Sequence, residues 1–245
     1  HPRIIPNNPD GPFLLPLLEH SIRPSDIHNP PTRLICLENT HNFCQGSPLN
    51  PEYMDSVRAL AAKYGLRIHL DGARLFNAAV AQAIDVKDLT RQADSVMFCL
   101  SKGLSAPVGS LVCSNRDFIQ RARKFRKMVG GGMRQAGHLA AAGLVALESL
   151  VERLKEDHQN TQLLAEQLAS VEGIELDPAQ VKTNIIFFKL KHSKIDGESF
   201  LNLLEENSIK ILMTDPGVFR AVLHREINRE QVETIAKTVR SILTL

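Results

Sequence analysis

The sequence predicts an α/β fold, because short apolar segments alternate with helical stretches. The predicted strands are RLICLE (33–38), RIHLD (67–71), SVMFCL (95–100) and VGSLVC (108–113). Between the first two, Asn50-Pro51 opens a helix that Gly65 closes, since Asn caps helices, proline suits a first turn and glycine suits the position after a helix end. A second helical stretch spans 73–84. Strands with little period-two alternation are typical of a sheet covered on both faces.

The rest of the chain predicts a smaller α+β unit. A long helical region runs from Arg134 until just before Gly173, and Asn228 with Gln231 three residues later forms a capping-box pattern at the start of the last helix. Between them lie TNIIFFKL (183–190), SFLNLLEENS (199–208), IKILM (209–213) and FRAVLH (219–224). We therefore predict two domains, 1–140 and 141–245.

The composition of the chain indicates which kinds of binding partner to expect. The 29 basic and 27 acidic residues give a formal net charge of +2, so we expect a small-molecule partner and neither nucleic acid nor a membrane. No apolar run approaches the ~18 residues of a membrane span. The four cysteines have no C-x-x-C spacing, which indicates a reducing, cytoplasmic location and no metal. The first residue is His1, and no signal peptide follows it, so we expect a fragment of a longer protein.

Lys102 and Asp71 are the first candidate site residues. A lysine at a strand end ordinarily points into water, but the neighbours of Lys102 are small, which lets a bulky partner approach the backbone. Asp71 ends another predicted strand, where it could simply cap the following helix. Strand ends of open α/β sheets face the ligand crevice. A lysine and a carboxylate there suit pyridoxal phosphate, which needs a Schiff-base lysine and an acid at its pyridine nitrogen.

Four ordered motifs resemble those of the low-specificity threonine aldolases. They are ENTHN (38–42), HLDGAR (69–74), LSKGLSAPVGS (100–110) and KFRKMVGGGMRQAG (124–137). The resemblance covers nearly the whole chain. It implies the large-domain sheet of a pyridoxal-phosphate-dependent transferase (fold type I), incomplete at the N-terminus, with a smaller C-terminal α+β domain. It also implies cleavage of L-threonine or L-allo-threonine to glycine and acetaldehyde by a homo-oligomer, a dimer or a tetramer.

The resemblance assigns roles to individual residues. Lys102 would form the Schiff base, and Asp71 would hold the pyridine nitrogen. Arg74 and Arg220 would bind the substrate carboxylate, a task that suits the planar, permanently charged guanidinium. His28, in SDIHNP, would orient or deprotonate the substrate hydroxyl.

Three further residues match the family at the rim of the site. Lys127 would contact substrate at the rim, Arg134 would bind the cofactor phosphate, and Asn42 would lie near the cofactor hydroxyl. A basic helix face in solvent is the ordinary interpretation of the first two. The sequence departs from the family at FCQGSPL (43–49) and at Leu223. The family's phosphate loop and ring-stacking histidine would precede His1, so the resemblance implies weak cofactor binding by residues 1–245 alone.

Two alternatives remain open. The chain could be a truncated, catalytically silent relative of the aldolases. It could also be a metal enzyme in which His69 and Asp71, on one face of a strand, bind iron together with His138 or His224. The metal alternative leaves Lys102 unexplained.

Overall fold

The computed structural model describes residues 1–24, 26–192 and 194–244. These residues form two compact units, one from 1–44 with 48–152 and one from 45–47 with 153 onward. The chain thus divides after Glu152, whereas the boundary predicted near residue 140 lies inside a helix, Gly137–Ser149. The functional assignment of the two domains stays a prediction.

The N-terminal unit is built on a four-stranded sheet in the order β1-β2-β3-β4, in which β1, β2 and β3 are parallel and β4 is antiparallel to β3. Its elements are α1 (Leu15–His20), β1 (Leu34–Glu38), α2 (Pro51–Lys63), β2 (Arg67–Gly72), α3 (Leu75–Gln82), α4 (Val86–Thr90), β3 (Ser95–Cys99), β4 (Ser110–Ser114), α5 (Arg116–Met128) and α6 (Gly137–Ser149). The four strands and the helix predicted between Asn50 and Gly65 are confirmed.

Helix α2 shows how the sequence sets an element. The Asn50 side chain accepts a hydrogen bond from the Tyr53 N–H at 2.8 Å, which satisfies a donor that the first turn leaves without a helical partner. One helical face then buries Met54, Val57 and Ala61 in the core of this unit. Each large apolar side chain buried in this way contributes about 1.5–3 kcal/mol relative to exposure.

Among the described residues, the two outer strands of this sheet are only partly covered, so the expectation that both faces are covered stays a prediction for them. Buried and exposed residues alternate along β1, so only one face of that strand packs into the core. Strand β4 is exposed over most of its length, including Leu111 and Val112.

The C-terminal unit has an antiparallel sheet in the order β5-β6-β8-β7. Its elements are α7 (Leu154–Ala169), β5 (Ile174–Glu175), a 3₁₀ turn (Pro178–Gln180), β6 (Ile185–Leu190), α8 (Gly197–Glu206), β7 (Leu212–Asp215), β8 (Val218–Val222) and α9 (Arg229–Leu243). Three phenylalanines, Phe188, Phe200 and Phe219, pack together in its core. The predicted capping box of Asn228 and Gln231 is confirmed at the start of α9.

The single long helix predicted from Arg134 is wrong, because α6 ends at Ser149 and α7 begins at Leu154. No glycine or proline lies between residues 144 and 172, so the sequence carries no breaker there. Leu154 is fully buried, and Arg153 pairs with Glu156 and Asp157 in the first turn of α7. The burial of Leu154 and the ion pairs of Arg153 favour the start of a new helix here, although local helix propensity alone would continue α6.

Within the part of the chain that the structure describes, every helix is too short or too polar to span a bilayer.

Candidate functional site

Two neighbouring parallel strands, β2 and β3, bring the predicted acid and lysine to the same end of the sheet: Asp71 is the penultimate residue of β2, and Lys102 lies three residues after the last residue of β3. Asp71 pairs in register with Met97 of β3. Lys102 follows β3 in an exposed turn that the hydrogen bond from the Ser105 N–H to the Lys102 carbonyl closes at 2.8 Å. Both residues therefore lie at the same edge of the sheet, while the expectation that their side chains share one pocket stays a prediction.

Gly72 explains the close approach of β2 to β3 in the DGAR motif. A Cβ atom at this position would lie 2.7 Å from the carbonyl oxygen of Met97 and 2.9 Å from the Cβ of Leu75. The Asp71 carboxylate accepts a hydrogen bond from the Ala73 N–H at 3.0 Å. This turn fixes the carboxylate beside the strand end, while the absent side chain of Gly72 leaves room for the neighbouring strand.

The structure brings Arg74 and Asn42 together. Arg74 lies at the start of α3, and its Nη1 donates to the Asn42 side-chain oxygen at 3.2 Å. The Asn42 backbone N–H in turn donates to the carboxylate of Glu38 at 3.2 Å. A second oxygen of Glu38 lies 3.7 Å from Nε2 of His41. The ENTHN loop is therefore linked to the arginine of the DGAR motif.

Sequence reasoning missed Glu38 and His41. Glu38 ends β1 and is the register partner of Asp71 in β2, so two acidic residues close neighbouring parallel strands. An acid directly after a buried strand was the signal that identified Asp71, and the same signal was present at Glu38.

A cavity of about 640 Å³ in the N-terminal unit reaches Asp71, Glu38 and His41. Its volume falls within the range of roughly 300–1,000 Å³ that is common for small-molecule sites. Apolar residues supply much of the remaining lining, among them Ile35 and Leu37 of β1. Of the predicted site residues, Asp71 lines this cavity, whereas Lys102, Arg74 and Asn42 are not among its lining residues.

The other predicted residues are placed apart from this pair. His28 lies in an exposed turn in which its N–H donates to Asp26 at 2.6 Å. Lys127, in the last turn of α5, and Arg134, in the loop that follows, are both exposed. Among the hydrogen bonds of the described residues, none links these three to Asp71 or Lys102.

Arg220 belongs to β8 of the C-terminal unit, where it faces Phe187 of β6 in the strand register. The side chain is half-buried, and this burial lowers the pKa of its guanidinium. An arginine keeps its charge at any physiological pH, so partial burial leaves a cation that favours an anionic ligand.

The metal alternative finds no support in the geometry. His69 Nδ1 lies 2.8 Å from the Ser95 hydroxyl, and His138 Nδ1 lies 3.2 Å from the carbonyl oxygen of Gln135. Over residues 1–24, 26–192 and 194–244, no group of three or more His, Cys, Asp or Glu side chains is placed to hold a metal ion.

Comparison with solved structures identifies the fold. The threonine aldolase of Leishmania major superposes with a TM-score of 0.77 at 18% identity, over 99% of this chain and 71% of that one. A PLP-dependent aminotransferase from Streptococcus suis gives a TM-score of 0.74 at 20% identity, over 98% of this chain and 63% of that one. The fold is that of the fold type I enzymes, which confirms the predicted fold class.

Comparison of sequences identifies the family. A family model described as beta-eliminating lyase matches residues 1–191. Low-specificity L-threonine aldolase 1 of Arabidopsis thaliana is 42% identical over 249 residues, which cover 100% of this chain and 70% of that protein. The low specificity L-threonine aldolase of Escherichia coli K12 is also 42% identical, over 96% of this chain and 67% of that protein. The chain belongs to the beta-eliminating lyase family and spans about two thirds of the length of these aldolases.

Proposed function

We propose that the protein is a pyridoxal-phosphate-dependent aldolase that cleaves L-threonine and L-allo-threonine to glycine and acetaldehyde. The observation that carries the proposal is the placement of Asp71 near the end of β2 and of Lys102 just after the neighbouring parallel strand β3. The relatives in Arabidopsis thaliana and Escherichia coli, which are named for this activity, support the choice of substrate.

The residues present fit the cofactor. Lys102 is an exposed primary amine that could hold the cofactor covalently, and the carboxylate of Asp71 could keep a proton on its ring nitrogen. The cavity of about 640 Å³ that Asp71 lines has the volume for an aromatic ring, although Lys102 is not among its lining residues. When bound, the cofactor supplies the electron sink into which the Cα–Cβ bond of the substrate is broken.

The protein's own residues would bind the substrate and move its protons. Arg74 binds the substrate carboxylate through its planar guanidinium, and Arg220 is the second candidate for this task. His28 would accept the proton of the β-hydroxyl as the carbon–carbon bond breaks. Lys102 would return a proton to Cα of the substrate to complete glycine.

Lys127 and Arg134 stay proposals for the outer part of the site. Their positive charges, on α5 and the loop after it, suit a carboxylate or a phosphate. Asn42 is the third residue that the family resemblance places at the cofactor, and its contact with Arg74 leads to a different role that we develop below.

Reductive labelling tests the central assignment. Borohydride treatment in the presence of pyridoxal phosphate, followed by peptide mapping, is expected to place the cofactor on Lys102. Lys102→Arg should abolish both the label and acetaldehyde release, because an arginine cannot form the covalent bond. Lys124→Arg, on the exposed face of α5, is the matched control and should keep both. Label that maps to Lys127 would contradict the assignment.

We further propose that the protein acts as a homo-oligomer in a reducing compartment such as the cytoplasm. All four cysteines are free thiols, which suits a reducing environment.

An exposed apolar surface at the end of α5 supports the homo-oligomer. It consists of Phe125, Met128 and Val129, and an apolar surface of this kind favours association. Sedimentation at micromolar concentration should show a dimer or tetramer, and a stable monomer would contradict this part of the proposal.

A further inference from the structure

A chain of contacts begins at the end of β1 and ends on Arg74. Glu38 is the last residue of β1, and one of its oxygens accepts the Asn42 N–H at 3.2 Å. Its other oxygen lies 3.7 Å from His41 Nε2, and the exposed fractions of the two side chains are 31% and 16%. The hydrogen bond from the Asn42 N–H to Glu38, the last residue of β1, restrains the backbone of Asn42. This restraint fixes the position from which the Asn42 side chain extends.

The side chain of Asn42 continues the chain of contacts to the guanidinium. Its oxygen accepts a hydrogen bond from Arg74 Nη1 at 3.2 Å. An arginine side chain has about 2 kcal/mol of rotamer entropy, some of which is lost whenever a ligand fixes it. Since a guanidinium is planar and has five N–H donors, one bond at Nη1 restricts the whole plane without exhausting its hydrogen-bonding capacity.

We propose that Glu38 and Asn42 are positioning residues that orient Arg74 for the carboxylate of the amino-acid substrate. Glu38 holds the Asn42 backbone, and Asn42 holds the guanidinium, so both act on the substrate through Arg74. This role differs from the cofactor contact that the family resemblance implies for Asn42. The identity of the substrate rests on the proposed function, whereas the ordering of Arg74 does not.

The kinetic consequence is a change in KM with little change in kcat. In Asn42→Ala the guanidinium loses the hydrogen bond from Nη1 to Asn42, so the substrate has to supply more of its ordering and we expect KM for L-threonine to rise roughly 3- to 10-fold. Glu38→Ala should have a similar effect, while Glu38→Gln keeps an acceptor for the Asn42 N–H and should restore the parental KM. In an Arg74→Ala background, Asn42→Ala should add nothing, since residues that act through one group are not additive.

Side-chain NMR tests the orientation of Arg74 without any need for turnover. In protein labelled with ¹⁵N-arginine, the Nε–H signal of Arg74 can be assigned by its loss in Arg74→Lys. Its order parameter should fall below the parental value in Asn42→Ala and should stay at the parental value in Glu38→Gln. Arg58 is the internal control, because its Nε donates to the carbonyl oxygen of Gln92 at 2.9 Å and should be unaffected by either change.

The outcomes separate this inference from the proposed function. An Arg74 signal that is equally ordered in the parent and in Asn42→Ala would overturn the positioning role, as would an unchanged KM in an active Asn42→Ala enzyme. A parent protein that forms no glycine from L-threonine would contradict the proposed function instead. The order parameters of Arg74 would then still decide whether Glu38 and Asn42 position it.

Discussion

At the scale of single residues, Asp71 has a structural and a chemical task that can be separated. Its carboxylate accepts the Ala73 N–H at 3.0 Å, which stabilises the turn after β2. An asparagine oxygen can accept the same hydrogen bond, but a neutral amide cannot stabilise a protonated ring nitrogen. The isosteric change Asp71→Asn therefore isolates the chemical task.

We expect Asp71→Asn to keep its fold and to bind pyridoxal phosphate while acetaldehyde release falls by about 100- to 1,000-fold. Cofactor absorbance, thermal unfolding and a coupled acetaldehyde assay provide the three measurements. Asp85→Asn is the matched control, because Asp85 makes an equivalent turn contact with the Lys87 N–H at 2.8 Å away from the site. Near-parental turnover in Asp71→Asn would exclude the electron-sink role.

The residues of the site were only partly predictable. Asp71 and Lys102 could be found because each follows a strand that the sequence itself marks. The link between Asn42 and Arg74 could not, since it joins residues 32 positions apart through side-chain rotamers, and a sequence pattern does not specify rotamers. Glu38 shows the opposite case: its signal was present at the end of a strand, but the resemblance drew attention to Asn42 instead.

At the scale of elements, the positions of the strands were predicted better than the burial of their faces and the ends of the helices. The ends of β1, β2 and β3 follow from short apolar segments and from glycine and asparagine at the turns. The exposure of β4 and the break between α6 and α7 depend on what packs against those elements. Packing partners lie far away in sequence, so local patterns do not report them.

Gly72 offers a test of how tightly β2 and β3 are joined. In Gly72→Ala the new Cβ would lie 2.7 Å from the backbone oxygen of Met97, which cannot move without displacing β3. We expect a loss of about 2 kcal/mol or more in the free energy of unfolding, measured by urea denaturation.

The matched control for Gly72 is Gly137→Ala, at the first position of α6. Apart from the adjacent residues and the helix's own backbone, no heavy atom lies within 4 Å of a Cβ at Gly137. This change should therefore be neutral or should stabilise by up to about 1 kcal/mol, because alanine favours helices over glycine. Equal stability losses in the two variants would show that the close approach of β2 and β3 is not what requires glycine at position 72.

At the scale of the whole molecule, two neighbouring titratable residues of α7 give the C-terminal unit opposing responses to pH. Burial raises the pKa of Asp157 to about 6, while Arg153 and His224 lower it and Glu156 raises it further. Burial lowers the pKa of His158 to about 4. Asp157 is fully buried, and among the described residues one of its oxygens has no hydrogen-bond partner.

The signs of the two contributions follow from linkage. The folded state binds the proton of Asp157 more tightly than the unfolded state, so stability from this group is present at about pH 4 and is lost as pH rises through 6. His158 has the opposite sign, since its contribution is present above about pH 6.5 and is lost as pH falls toward 4. Each shift corresponds to about 3 kcal/mol, so the two largely cancel between pH 4 and 6.

Replacing either Asp157 or His158 should make the pH dependence of stability that the other residue causes measurable. We expect Asp157→Asn to match the parent near pH 4 and to exceed it by up to about 3 kcal/mol at pH 7, since the amide avoids the buried charge and Glu156 still pairs with Arg153 at 3.1 Å. His158→Gln should instead match the parent at pH 7 and exceed it near pH 4. Urea denaturation between about pH 4 and 7 measures the free energy of unfolding of the parent and of both variants. Subtracting the parental value at each pH removes the contributions of the other carboxylates, which titrate alike in all three proteins. If the difference in free energy of unfolding between Asp157→Asn and the parent did not change with pH, burial of the Asp157 charge would not be what destabilises the folded state.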